Sequence, residues 1–314
     1  MSVAADNLST AAPRLALLRA EMREELAKVV VGYEEELDLL LAAVVAGGHV
    51  LLEGPPGVAK TLLGAGLARV LGVQFRRIQF TPDTTPTHIV GETVKKLGEP
   101  QFVPGAVFTN VLLADEINRT PPRTQAALLE AMQERHVTVD GRIQRLPAPF
   151  IVLATQNPFE QVGIFPLPES QLDRFLFKIV LDYATAAHEA DILRLPHHGL
   201  LPDVVGEVRP LLDIGRLSLA QREVDGTSVP DEVVERCVTI VRATRGAEGV
   251  VLGASPRAAV HLLTAAKAHA RLEGRDVVRV ADVTRMAPVV LTHRLIVEDA
   301  DPHQVVRLAV ASHA

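Results

Sequence analysis

The stretch HVLLEGPPGVAKTLLGAGLARVLG at positions 49–72 constrains this chain more than any other. An apolar strand, His49–Glu53, runs into Gly54-Pro55-Pro56-Gly57. Val58 and Ala59 follow, and a helix is expected from about Lys60 to Leu71, closed by Gly72. Strand, glycine-rich loop and helix in that order form a nest of backbone N–H groups at a positive helix end, which is a site for an anion and above all for phosphate. The spacing matches G-x-x-x-x-G-K-[ST] except that Ala59 stands where the second glycine belongs. At the helix entry a residue can already be near-helical, so a methyl group is expected to fit there.

The surrounding pattern supplies the sheet that such a loop requires. Strands are expected at Gln74–Phe80, Val107–Ala114, Phe150–Thr155 and Leu176–Leu181, with helical or irregular stretches between them. That alternation predicts an α/β domain with a mostly parallel sheet covered by helices on both faces. Two helices precede it, at about Pro13–Lys28 and Glu34–Ala46. VTVDGRIQ, 137–144, turns at Asp140-Gly141 as a hairpin. Residues 81–105, rich in proline and glycine, read as an elaborate insertion. After Tyr183 the texture becomes helical, with helices expected at 188–195, 216–224, 230–245, 256–272 and 280–291. The organisation expected is a loose tail at 1–12, an α/β nucleotide-binding domain at 13–184, a proline-rich linker at 185–215, and a smaller all-helical lid at 216–314.

Composition narrows the function classes. Charged residues make up 22% of the chain and the net charge is −6, so a basic nucleic-acid coat is not indicated. The single cysteine, Cys237, excludes an intrachain disulfide and reads as a small buried helix residue. The longest apolar run, Leu39–Gly48, is about half of a membrane span, and the N-terminus lacks the pattern of a signal peptide. A cytoplasmic protein without a membrane span is expected. His197-His198 lie in a proline-flanked loop and read as solvated rather than metal-ligating.

Three pieces carry chemistry. In the loop, Lys60 is placed to reach the β- and γ-phosphates of a nucleotide, and the Thr61 hydroxyl to ligate Mg²⁺. In VLLADEIN, 111–118, an apolar strand ends in two acids where α/β sheets bind ligands. Asp115 can hold Mg²⁺ through water, and Glu116 can orient and deprotonate an attacking water. In ATQNP, 154–158, Asn157 could contact that water or the γ-phosphate, or simply start a turn.

Together with RRIQFTPD (76–83), FVPGAVFTN (102–110), ADEINRTPPRTQAALLEAMQE (114–134), PFIVLATQNPFEQVGIFPLPESQLDRF (149–175) and GASPRA (253–258), these pieces resemble the MoxR branch of the AAA+ ATPases. The resemblance covers nearly all of residues 14–295, and the family commonly has alanine at the position of Ala59. It implies ATP and Mg²⁺ as cofactors. The loop residues Gly54, Pro55, Pro56, Gly57, Val58 and Ala59, with Lys60, Thr61 and Leu62, would bind the phosphates, and Asp115 and Glu116 would be the Walker B acids. Asn157 falls at the sensor-1 position, Arg174 at that of an arginine finger completing a neighbouring subunit's site, and Arg257 at sensor 2 on the lid. Arg119 and Arg123 are rivals for the role of finger. Val29–Gly32, including Val31 and Gly32, matches the adenine-contacting segment, with Tyr33 where a glutamine is more usual.

The resemblance further implies a homo-oligomeric ring, most simply a hexamer, that remodels or matures other proteins beside a partner bearing a von Willebrand factor A domain. The client is not written in the chain. Two other readings remain open at this level: a nucleic-acid-associated motor, or a nucleotide-gated scaffold with little turnover. The related magnesium-chelatase motor subunits share much of the arrangement.

Overall fold

The computed structural model describes residues 15–96, 98–159, 163–195 and 201–312. The tail expected at 1–12, the residue Pro13 and the His197-His198 pair lie outside the described residues. Two helices, α1 (Leu15–Leu26) and α2 (Glu34–Val45), lead to β1 (Val50–Glu53), the glycine loop and α3 (Lys60–Val70). Next come β2 (Phe75–Gln79), α4 (Pro86–Val90) and the hairpin β3 (Glu92–Lys96)–β4 (Glu99–Val103). The expected insertion at 81–105 is therefore an ordered helix and hairpin. The chain continues through β5 (Val111–Asp115), α5 (Pro122–Glu134), a second hairpin β6 (His136–Val139)–β7 (Arg142–Arg145), β8 (Ile151–Gln156), α6 (Glu169–Leu172) and β9 (Phe177–Val180).

Five of these strands form one parallel sheet in the order β2-β5-β8-β1-β9. Each parallel neighbour needs a crossover, and the helices fill both faces. Alternation along the strands sorts their side chains into two cores. Val50 and Leu52, Val111 and Leu113, and Ile151 and Leu153 face α1–α3 and the C-terminal helices. Leu51, Leu112, Ala114, Val152 and Ala154 face α5, Phe80 and Phe175.

Expectation and structure differ in places where a side chain overrides hydrophobic pattern. The strand expected from Val107 begins only at Val111. Just before it, buried Asn110 accepts from Gln74 N (3.2 Å) and donates to Pro149 O (2.9 Å), so residues 107–110 make turns instead of ladder bonds. The hairpin turns at Asp140-Gly141, both at positive φ (49° and 74°).

The remainder is α7 (Ala186–Ile192), α8 (Leu201–Gly206), α9 (Ile214–Asp225), α10 (Asp231–Arg245), β10 (Val250–Leu252), α11 (Pro256–Leu272), α12 (Val280–Leu291), β11 (Ile296–Val297) and α13 (Pro302–Ala311). Two helices thus lie in the stretch read as linker, and α13 and the small β10–β11 pair had no counterpart in the sequence reading. Cys237 is buried on α10, and burial pushes its thiol up to about 11. Among the described residues no helix is long and apolar enough to cross a membrane.

Three histidines tie stability to pH: buried His49 and His293, the latter also held well below its ordinary pKa by burial, and half-buried His261. His49, at the mouth of β1, accepts from Val152 N at Nδ1 (2.9 Å), which leaves Nε2 to donate to Met132 O (3.1 Å). Burial, helped by nearby Arg135, drives its pKa down to about 3. Burial and Arg294 drive that of His261, on α11, to about 4. An unfolded chain takes up these protons near pH 6.5, whereas the folded chain refuses them until far lower. Stability should therefore fall as pH drops below 6.5, by up to about 1.4 kcal/mol per pH unit for each histidine, flattening near pH 4 for His261 and near pH 3 for His49. Urea midpoints measured from pH 7 to pH 5 should decline, and His49→Gln should remove part of the slope. A slope unchanged by that substitution would contradict the assignment to His49.

Candidate nucleotide site

The parallel register brings the carboxyl ends of β1, β5 and β8 to one edge, where Glu53 stands beside Gln156 and Asp115 beside Gln79. A cavity of about 1020 Å³ opens there, at the upper end of the range for small-molecule sites. Pro56, Gly57, Val58, Ala59, Lys60, Thr61, Leu62, Val31, Asp115, Glu116 and Asn157 all line it. Gly32, Gly54 and Pro55 are not among the lining residues. A Cβ on Gly54 would sit 2.4 Å from Leu181 O, so glycine lets the loop leave β1 against the end of β9. Gly57 has nothing within 4 Å of such a Cβ, and what it supplies is its φ of +87°.

Ala59 is not near-helical, as expected, but left-handed, at φ 55° and ψ 18°. The αL conformation turns the chain into α3 in place of the more usual glycine, at a cost of about 1 kcal/mol for alanine. Lys60 donates to Gly54 O (2.8 Å) and Pro55 O (3.2 Å), so its ammonium is held inside the loop's own ring. Burial lowers its pKa, while Asp115 and Glu116 pull the other way.

The acids are positioned from both neighbouring strands. Thr155, fully buried, donates to Asp115 Oδ1 (2.6 Å) and accepts from Glu116 N (2.9 Å). From β2, Arg77 donates to Asp115 Oδ2 (2.6 Å), and Gln79 donates to Glu116 Oε2 (2.5 Å). Arg119 also meets Glu116 Oε2, at 3.1 Å, so this rival for a trans-acting role is engaged with its own chain's acid. Glu116 itself is left-handed (φ 58°), which lifts its side chain off the line of β5. Asn157 lines the cavity, and its Oδ1 accepts from Phe159 N (3.1 Å), the bond of a turn.

Sequence reasoning missed Arg77, Gln79 and Thr155. Their signal was faint: a polar alternation in FRRIQ and a threonine ending an apolar strand. It becomes legible only once β2 is known to pair with β5. The linker was also underestimated, because Glu189, Ile192, Leu195, Val204 and Glu207 complete the cavity wall opposite the loop. Tyr33, buried beside them, donates its hydroxyl to Asp182 O at 3.0 Å.

Arg174 and Arg257 stand elsewhere. With Arg135 and His261 they line a separate cavity of about 280 Å³ between α5 and the C-terminal helices. Arg174 donates to Leu129 O (2.9 Å), while its Nε is buried without a hydrogen-bond partner. Arg257 is half exposed at the start of α11, 3.7 Å from Asp173.

A phosphate loop, an acidic strand end and a parallel sheet in the order β2-β5-β8-β1-β9, followed by a helical lid, define an ATPase of the AAA+ class. Residues 49–177 match the ATPase family associated with various cellular activities (AAA), and residues 242–309 match the AAA lid domain. The chain is 44% identical to chaperone MoxR1 of Mycobacterium tuberculosis over 87% of its own length and 74% of that protein's. It is also 44% identical to protein YeaC of Bacillus subtilis (87% and 85% covered), and 33% identical to protein MoxR of Methylorubrum extorquens (89% and 88%). A crystal structure from Cytophaga hutchinsonii, assigned as an ATPase, superposes with a TM-score of 0.87 at 34% identity and covers 96% of both chains. The chain belongs to the MoxR family of AAA+ ATPases.

The loop geometry makes two substitutions diverge. Ala59→Gly should relieve the left-handed strain and raise the denaturation midpoint by the equivalent of up to about 1 kcal/mol. Gly54→Ala should force the loop off Leu181, destabilise the fold by about 1–3 kcal/mol and weaken the binding of a fluorescent ATP analogue. Equal tolerance of both would contradict the backbone account.

Proposed function

We propose that this chain hydrolyses Mg-ATP and uses the energy to remodel or mature other proteins. It does so in the cytoplasm as a homo-oligomeric ring, most simply a hexamer, alongside a partner with a von Willebrand factor A domain. The observation that carries this reading is the division of the catalytic set. Lys60, Thr61, Asp115, Glu116 and Asn157 share one cavity, while Arg174 and Arg257 share another. A complete site then takes Arg174 from the adjacent subunit, with Arg257 at the sensor-2 position on the lid.

The Thr61 hydroxyl and the Asp115 carboxylate are hard oxygen donors that line the same cavity, the chemistry that suits Mg²⁺. When bound, the ion neutralises phosphate charge. Lys60 exchanges the carbonyls of Gly54 and Pro55 for phosphate oxygens. Glu116, once released by Gln79 and Arg119, orients and deprotonates the attacking water, with Asn157 beside it. An arginine finger is worth about 10³–10⁵ in rate, so an isolated subunit should be nearly inactive.

Turnover should rise with protein concentration and vanish in Glu116→Gln and in Arg174→Ala. It should return when the two variants are mixed, because intact acids then meet intact arginines across the boundary. Concentration-independent turnover that survives Arg174→Ala would overturn the shared-site reading. ATP binding without turnover at any concentration would favour a nucleotide-gated scaffold.

A further inference from the structure

The acid next to Arg174 has partners that the ATPase chemistry does not use. Asp173 accepts from Ser255 Oγ (3.0 and 3.2 Å to its two oxygens) and from Arg294 Nε (2.9 Å), and Arg257 lies 3.7 Å away. All three partners belong to the helical lid: Ser255 caps α11, Arg257 opens it, and Arg294 follows α12. Arg294 is 1% exposed and does more than pair with the acid. Its guanidinium donates to the carbonyls of Asp173 and Leu176 (3.4 Å each), of Phe175 and of Val290, and meets His261 Nδ1. One lid side chain therefore grips the backbone on both sides of Arg174. Burial lowers the Arg294 pKa to only about 10, so it stays a cation at neutral pH.

A purely structural account would stop at docking the lid. Two features go further. The grip falls on the residues flanking Arg174 rather than on the sheet. In addition, among the described residues the Arg174 side chain makes one hydrogen bond, to Leu129 O, with Nε unpartnered, so its guanidinium is less firmly held than its backbone. We propose that Asp173 and Arg294 are positioning residues for Arg174, so that the lid of one subunit sets where its finger stands at the neighbour's nucleotide. This rests on the reading that Arg174 acts across the boundary. Reorientation of a lid would then alter the rate at the adjacent site while leaving its own chain's acids and loop in place.

The test is turnover of Asp173→Asn and Arg294→Lys alone and in equal mixture with Glu116→Gln, with Arg174→Ala plus Glu116→Gln run in parallel. Binding of a fluorescent ATP analogue to each variant is measured alongside. Each positioning variant should lose roughly ten- to a hundredfold in kcat, keep its affinity for the analogue within about twofold, and recover turnover on mixing. Recovery requires folded subunits with working acids, so it separates mispositioning from failure to fold. Should the Arg174→Ala mixture recover while the Asp173→Asn and Arg294→Lys mixtures do not, the positioning role is overturned and the shared site stands. Wild-type kcat in both positioning variants would also overturn it. Failure of the Arg174→Ala mixture itself would remove the shared site and this inference together.

Discussion

The in-register parallel pairing of β5, β8 and β1 is the constraint on which the site depends. Because the strands run the same way, each delivers its last residue to the same edge, and the loop, the acids and Asn157 meet there without any of them being close in sequence. The pairing also places Thr155 so that one hydroxyl bonds both Asp115 and the Glu116 backbone. A threonine there does what neither an apolar residue nor water could, since it fixes the acid's orientation from a fully buried position. A slip of one residue between β5 and β8 would turn that hydroxyl to the other face.

The acids are also held from their other flank. Arg77 and Gln79 are two residues apart on β2 and so project to one face, one meeting Asp115 and the other Glu116. The Glu116 carboxylate is thus restrained by a neutral donor, Gln79, and a cationic one, Arg119. The loop shows the same economy: Ala59 accepts left-handed strain at the point where the chain must turn into α3.

Much of this was legible in the sequence because local physics carried it. The loop from Gly54 to Thr61, the acidic end of VLLAD and the Asp140-Gly141 turn depend on neighbours within a few residues. What escaped depended on neighbours far along the chain. The pairing of Arg77 with Asp115 needs the strand order, and Asn110 stops β5 from starting early by bonding to Gln74 and Pro149 on two other segments. The left-handed backbone at Ala59 escaped because alanine is a good helix former and gives no local warning. Proline made residues 185–215 read as a mere connection, although side chains on and beside α7 and α8 line the cavity.

One core cluster runs unbroken from Leu18 on α1, through Leu40 on α2, Leu67 on α3 and Leu153 in the sheet, to Leu217, Ile240 and Leu262 in the C-terminal helices. The lid is therefore no hinged cap with an interior of its own, because it is sealed to the α/β layer by shared aliphatic packing. Proteolytic or evolutionary separation at the connection would leave each fragment with a raw apolar face. Any displacement of the lid in such a body is then a small slide of packed helices over one another, and parts that cannot swing apart move as a shear.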